Sequence, residues 1–173
     1  KFMEPLSFQK MGAVEHIVLQ PTPFCNLDCV YCYLPNRSST KKMSIETAVL
    51  TMQRVFESGK AAEVLHIRWH AGEPLTVPIK FYREAIAEIR KITPSGIRIY
   101  HSMQTNGTLL NQTWCDFFKE ENIQLGVSLD GPAFLHDRVR VTRRGKGTHE
   151  KVMQAIDLLK QNEIPFEVIA VIR

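Results

Sequence analysis

A chain of 173 residues with 44% apolar and 23% charged side chains has the make-up of an ordinary globular domain, long enough for one substantial core. A net charge of +4 is too small to demand a nucleic-acid partner, no apolar run reaches the length of a membrane span, and the opening Lys1-Phe2-Met3-Glu4-Pro5 is no signal peptide. Three clustered thiols without a secretion signal point to a reducing cytoplasm and argue against a disulfide framework.

Strand and helix patterns alternate from residue 16 onward, after an N-terminal extension over residues 1–15. Short apolar runs at 17–19, 64–69, 97–103, 124–129 and 166–172 suit strands buried in a parallel sheet. Between the first two, Ile45, Ala48, Val49, Met52, Val55 and Phe56 share a helix face, opened by Ser44 and closed by Gly59. Tyr82, Ala85, Ile86, Ile89 and Ile92 repeat the pattern and stop before Pro94. Trp114, Phe117 and Phe118 mark a shorter helix after Asn111, and Val152, Ala155, Ile156 and Leu159 a fourth behind Thr148. Trp69, Phe81, Tyr82 and Cys115 read as core. Strict alternation predicts an α/β fold, either an open doubly wound sheet or a barrel-like curl. The chain stops at Arg173 directly after the fifth run, which reads as the first part of a longer protein, as does the missing initiator methionine.

In both arrangements chemistry gathers at the carboxyl ends of the strands, and the unusual residues fall there. After the first strand comes Phe24-Cys25-Asn26-Leu27-Asp28-Cys29-Val30-Tyr31-Cys32, with three residues between the first pair of cysteines and two between the second. One short loop can thus wrap three thiolates around a face of an iron–sulfur cubane and leave one iron without a protein ligand. Zinc is the alternative, completed by a histidine, although structural zinc usually draws on two separated pairs. His70, His101, His136 and His149 read as structural histidines.

After the second strand, Gly72 permits close backbone approach and Glu73 offers a carboxylate to an ammonium group. Gln104-Thr105-Asn106-Gly107 follows the third strand as a turn or a site lining. Ser128-Leu129-Asp130-Gly131-Pro132 follows the fourth. A rim arginine can grip a carboxylate in bidentate fashion beside a serine hydroxyl, but by residue type Arg138, Arg140, Arg143 and Arg144 are indistinguishable. The basic run from Arg138 to Lys146 reads as a solvated loop, since no aromatics interleave with it as nucleic-acid binding would require.

Taken in order, the cysteine loop, Ala71-Gly72-Glu73-Pro74, Gln104 to Leu109, Ser128 to Pro132, His136-Asp137, Arg140 and Gly145 to Thr148 resemble the radical S-adenosylmethionine (SAM) superfamily. They look most like its peptide- and protein-modifying members with a cysteine-rich SPASM-type extension, anaerobic sulfatase-maturating enzymes among them. The run Trp69 to Pro78 is similar to maturases of glycine-rich-repeat precursor peptides, some of which form cyclophanes. The resemblance implies a partial (βα)6 barrel with about its first five units present over residues 16–173 and the SPASM-type region absent. It implies a 4Fe–4S cluster on Cys25, Cys29 and Cys32, whose open iron is chelated by SAM. Tyr31 would contact the adenine side of SAM, Gly72 and Glu73 would serve the methionyl amine, and Ser128 with Arg140, twelve residues further on, the methionyl carboxylate. Ala71 replaces the family's first glycine. The implied activity is reductive cleavage of SAM to a 5′-deoxyadenosyl radical, followed by oxidation or crosslinking of side chains of a ribosomal precursor peptide. The alternatives are formylglycine formation in a sulfatase and a non-catalytic metal-binding module. The implied partners are a peptide or protein substrate and a flavodoxin- or ferredoxin-like electron donor, with neither nucleic acid nor membrane. No general base is evident in this stretch.

Overall fold

The computed structural model describes residues 12–172, so most of the expected extension lies outside the described residues. Five strands form one sheet: β1 (Val14–Leu19), β2 (Ala61–Trp69), β3 (Arg98–Thr105), β4 (Gln124–Ser128) and β5 (Phe166–Ile169). The sheet therefore begins two residues before the expected boundary at 16. Every neighbouring pair is parallel and the spatial order is the chain order. This settles what periodicity left open. A doubly wound sheet reverses at a switch point, whereas an order that never reverses keeps its right-handed crossovers on one face and curls toward a barrel.

Four of the five helices stand where apolar periodicity places them: α1 (Ile45–Glu57), α2 (Ile79–Ile92), α3 (Gln112–Glu120) and α5 (His149–Gln161). The Ser44 side chain accepts from Thr47 N to cap α1, and Asn111 accepts from Trp114 N to cap α3. The short α4 (Ala133–Val139) was not expected. Its apolar Phe134 and Leu135 are exposed, so it carries no buried stripe to read.

One face of the sheet and the helices share a single apolar core. Ile17, Leu19, Leu65, Ile67, Trp69, Met103, Leu125 and Val127 meet Met52, Tyr82, Ile86, Ile89, Phe117, Val152 and Leu159 there. Edge-on rings interlock it, with Trp69 and Tyr82 centroids 5.3 Å apart at 82° and Trp114 and Phe117 5.8 Å apart at 79°. Cys115 is wholly buried in α3, as its setting implied. One polar ring intrudes. His101 stacks on Trp69, and its Nδ1, like Trp69 Nε1, is buried without a hydrogen-bond partner. Burial, helped by the charge of Arg90, pulls the His101 pKa down to about 4.

The opposite face is polar. Register brings His16, His66 and Tyr100 into one row, Arg68, Ser102 and Gln124 into the next, and Gln104, Gly126 and Glu167 above them. Its β3–β5 side lines a cavity of about 370 Å³.

Candidate functional site

The cysteine loop leaves the carboxyl end of β1 and is held by backbone bonds rather than by secondary structure. Cys25 N donates to Arg37 O (3.1 Å) across the neck of the loop, and Cys32 N donates to Cys29 O (3.1 Å). Asp28 N and Val30 N donate to Val141 O (2.8 Å) and Val139 O (2.9 Å), docking the loop along the end of α4 and the segment that follows it. Cys25, Cys29 and Cys32 are all free and half-buried. Leu27 N (3.4 Å) and Asn106 Nδ2 (3.8 Å) point at Cys25 Sγ. Burial pushes the Cys25 thiol up to about 11, against the opposing Leu27 N–H, and also raises Cys29, against the charge of Arg140. Among the described residues no three His, Cys, Asp or Glu side chains close on a point that would hold one ion. A cubane asks for no such convergence, because each thiolate takes a different corner. Three loop thiols with backbone N–H support, and a fourth cysteine remote in α3, fit a cluster with one iron left open.

At the end of β2 the chain turns through two left-handed residues, Ala71 (φ 72°) and Gly72 (φ 62°). A Cβ on Gly72 would stand 2.3 Å from Thr22 O and 2.6 Å from Phe24 O. The close approach that requires glycine is thus to the root of the cysteine loop, which Glu73 N also holds through Phe24 O (2.7 Å). The Glu73 carboxylate is 1% exposed and accepts from Leu75 N (3.0 Å), Thr105 Oγ1 (2.7 Å) and Asn106 N (2.8 Å). Burial raises its pKa, and those three donors oppose the rise. Expected as a cofactor contact, Glu73 is placed as a staple between the turns after β2 and β3.

The turn after β3 completes a second brace. Asn106 Nδ2 donates to Asn26 Oδ1 (2.9 Å), and Asn26 Nδ2 donates to Thr108 Oγ1 (2.9 Å), across 80 or more residues. Gln104 Nε2 reaches Ser128 Oγ (3.1 Å) by lying over Gly126, where a Cβ would meet Gln104 Oε1 at 2.1 Å. Glycine in mid-strand is therefore what lets Gln104 orient Ser128.

The third brace is ionic. Arg140 is 7% exposed and forks onto Asp130, with Nε to Oδ2 at 2.9 Å and Nη2 to Oδ1 at 3.2 Å. Tyr31 Oη donates to Asp130 Oδ2 (2.6 Å), Val171 N donates to Oδ1 (2.9 Å), and the Arg140 guanidinium lies 5.5 Å from the Tyr31 ring centroid. Burial works to raise the Asp130 pKa, but the bonds from Arg140, Tyr31 and Val171 hold it below the usual carboxylate range. Behind the pair, Asp130 N donates to His136 Nδ1 (3.2 Å), while Thr148 Oγ1 donates to Arg140 O (2.8 Å) and lies 3.0 Å from His136 Nε2. A neutral imidazole protonated at Nε2 satisfies all three, and burial with Arg140 nearby lowers the His136 pKa accordingly. Asp137 Oδ1 accepts from His149 N (2.8 Å) at the start of α5, and its carboxylate occupies the space a Cβ on Gly147 would need.

The structure therefore gathers Cys25, Cys29, Cys32, Tyr31, Gly72, Ser128 and Arg140 on one rim. The solvated-loop reading of the basic run holds for Arg138, Arg144 and Lys146, which are exposed; Arg140 is buried on the rim, and Arg143, though exposed, folds back onto the cysteine loop. Asp130, Asn26, Asn106 and Arg143 were missed as organising side chains. Their partners lie 80 to 118 residues away or on α4, which no periodicity announced.

The sequence profile of the radical SAM superfamily matches residues 19–173. An uncharacterised protein of Synechocystis sp. is 44% identical over 93% of this chain and 42% of its own length. The serine-type anaerobic sulfatase-maturating enzyme of Bacteroides thetaiotaomicron is 38% identical over 98% of this chain and 42% of its own. Among solved structures, native anSMEcpe with bound AdoMet and Kp18Cys peptide superposes with a TM-score of 0.80 at 29% identity, over 90% of this chain and 42% of that one. The chain thus spans somewhat under half the length of each of these three proteins.

Proposed function

The chain belongs to the radical SAM superfamily, and from that premise we propose that it is the SAM-binding part of an enzyme that oxidises side chains of a peptide or protein substrate. The observation that carries this reading is the cysteine loop, three free thiols held against the turns after β2, β3 and β4 on one rim. When bound, a 4Fe–4S cluster and SAM supply one-electron reduction of the sulfonium and hydrogen abstraction from the substrate.

The chain's own residues bind and orient. Cys25, Cys29 and Cys32 would hold the cluster, leaving one iron open. Ser128, aimed by Gln104, and Arg140, aimed by Asp130, receive the methionyl carboxylate, for which Arg140 keeps Nη1 beyond its two bonds to Asp130. Gly72 presents backbone to the methionyl amine, with Glu73 fixing the turn from behind. Tyr31, anchored on Asp130, sets the adenine side. The serine-type maturating enzyme of Bacteroides thetaiotaomicron and the Kp18Cys peptide bound in the solved relative support serine or cysteine oxidation in a sulfatase. The run Trp69 to Pro78 supports crosslinking of a glycine-rich precursor.

The test is anaerobic reconstitution with iron and sulfide, then SAM and dithionite, with 5′-deoxyadenosine and peptide mass as readouts. Alanine at Cys25, Cys29 or Cys32 should abolish the four-iron chromophore and SAM cleavage, while Cys115→Ala keeps both. A sulfatase-derived serine or cysteine peptide and a glycine-rich precursor, offered side by side to the enzyme, separate the two substrates. Full iron retention in any loop variant would defeat the assignment.

A further inference from the structure

Arg143 sits in the tight turn after α4, where Thr142 N donates to Lys146 O (2.7 Å) and Gly145 N donates to Thr142 O (2.9 Å). From there its side chain crosses to the neck of the cysteine loop. Nε (3.0 Å) and Nη2 (2.7 Å) both donate to Cys25 O, Nη2 also donates to Arg37 O, and Nη1 donates to Ser38 Oγ (3.1 Å). The guanidinium carbon lies 5.1 Å from the Phe24 ring centroid. One planar group thus grips both strands of the neck, the carbonyl of a cysteine on one side and that of Arg37 on the other. Cys29 has a weaker counterpart, since Arg37 Nη1 reaches its carbonyl at 3.3 Å. The charge of Arg37 is, however, answered by Asp28 at 2.9 Å, whereas among the described residues Arg143 makes no ion pair.

We propose that Arg143 is a positioning residue for the cysteine loop, and that its uncompensated charge, one peptide unit from Cys25, favours the reduced state of the cluster that loop holds. The proposal rests on the cluster reading above and goes beyond it. Reduction adds a negative charge to the cluster, and a fixed cation nearby stabilises that state. Net charge and hydrogen bonding around the ligands are the levers by which a protein sets such potentials. Arginine suits the task because its fork holds one carbonyl with two donors and cannot lose its proton.

The experiment is a redox titration of the reconstituted protein without SAM, followed by the electron paramagnetic resonance signal of the reduced cluster. Arg143→Gln should lower the midpoint potential, leaving the ratio of reduced to oxidised cluster about threefold to tenfold smaller at a fixed poise, tenfold being about 59 mV for one electron. Both side chains are exposed, so what separates them is the fork: Arg144→Gln removes the same charge from a residue not bonded to the Cys25 carbonyl and should shift the ratio less than about twofold, as screening of a charge not fixed on the loop allows. Equal shifts in the two variants, or none in Arg143→Gln, overturn the proposal. Should Arg143→Gln fail to take up four irons, Arg143→Lys decides, since it keeps the charge without the fork: weaker iron retention at a potential close to the wild type supports the proposal, full iron retention overturns the clamp, and a potential lowered by the shift expected of Arg143→Gln overturns the role of the charge. Wild-type protein that forms no cluster overturns the underlying reading and this proposal with it. A loaded wild type with equal variants overturns this proposal alone.

Discussion

The helix-facing side of the sheet and the rim at its carboxyl ends are built by opposite means. The first is held by apolar surface, where Trp69, Tyr82, Phe117 and their neighbours interlock through non-directional packing. The second is held by directed bonds. Glu73, Asn106, Asp130 and Arg143 each satisfy donors or acceptors on segments remote in sequence, and burial makes an unmet partner costly. The difference teaches that stability and site geometry are separable here. A core change should lower the stability of the whole domain, whereas a rim change should misplace a particular group.

The sharpest way to break that comparison is a pair of variants. Phe117→Ala should cost about 3–5 kcal/mol of stability, as large-to-small core changes do, with iron and SAM binding per folded molecule unchanged. Asp130→Asn keeps shape and removes the charge that aims Arg140 and Tyr31, at about 1.5–3 kcal/mol for bonds to charged groups. Its SAM affinity should fall about 10-fold or more. Denaturant unfolding and equilibrium SAM binding, read on both proteins, check the pair. Parallel losses of both quantities in both variants would show that the two regions are one unit.

A smaller effect probes His101, the imidazole stacked on Trp69. The His101 pKa falls to about 4 in the folded chain, from an ordinary value near 6.5 unfolded, so between those values the unfolded state binds the extra proton. Stability is therefore lost as pH falls through that window, by about 3 kcal/mol in all. His70 and His136 are lowered as well and act in the same direction. Unfolding midpoints measured between pH 7 and pH 4 should fall less steeply in His101→Phe than in the wild type. An unchanged slope would place the acid sensitivity at the rim.

The smallest effect belongs to Ala71, an alanine held at φ 72°. A left-handed L-residue costs roughly 1–2 kcal/mol, of which glycine returns part as chain entropy. Ala71→Gly should raise stability by about 0.5–1 kcal/mol. A thermal midpoint that falls instead would mean the methyl group packs against the rim.

Apolar spacing by itself determined the five strands, four of the helices with their Ser44 and Asn111 caps, and the burial of Cys115, because periodicity and capping are local and are written within one turn or one strand. Motif order determined which turns share a rim, since parallel strands carry their carboxyl-end loops to one side. Only the tertiary structure decided between a doubly wound sheet and a barrel-like curl, because strand order is a relation between crossovers. Tertiary structure alone also turned Glu73 inward, paired Arg140 with Asp130 and folded Arg143 onto Cys25. Four arginines in seven residues look alike along the chain, and what sets Arg140 and Arg143 apart is the acceptor that the fold brings within 3 Å or so of their guanidinium groups.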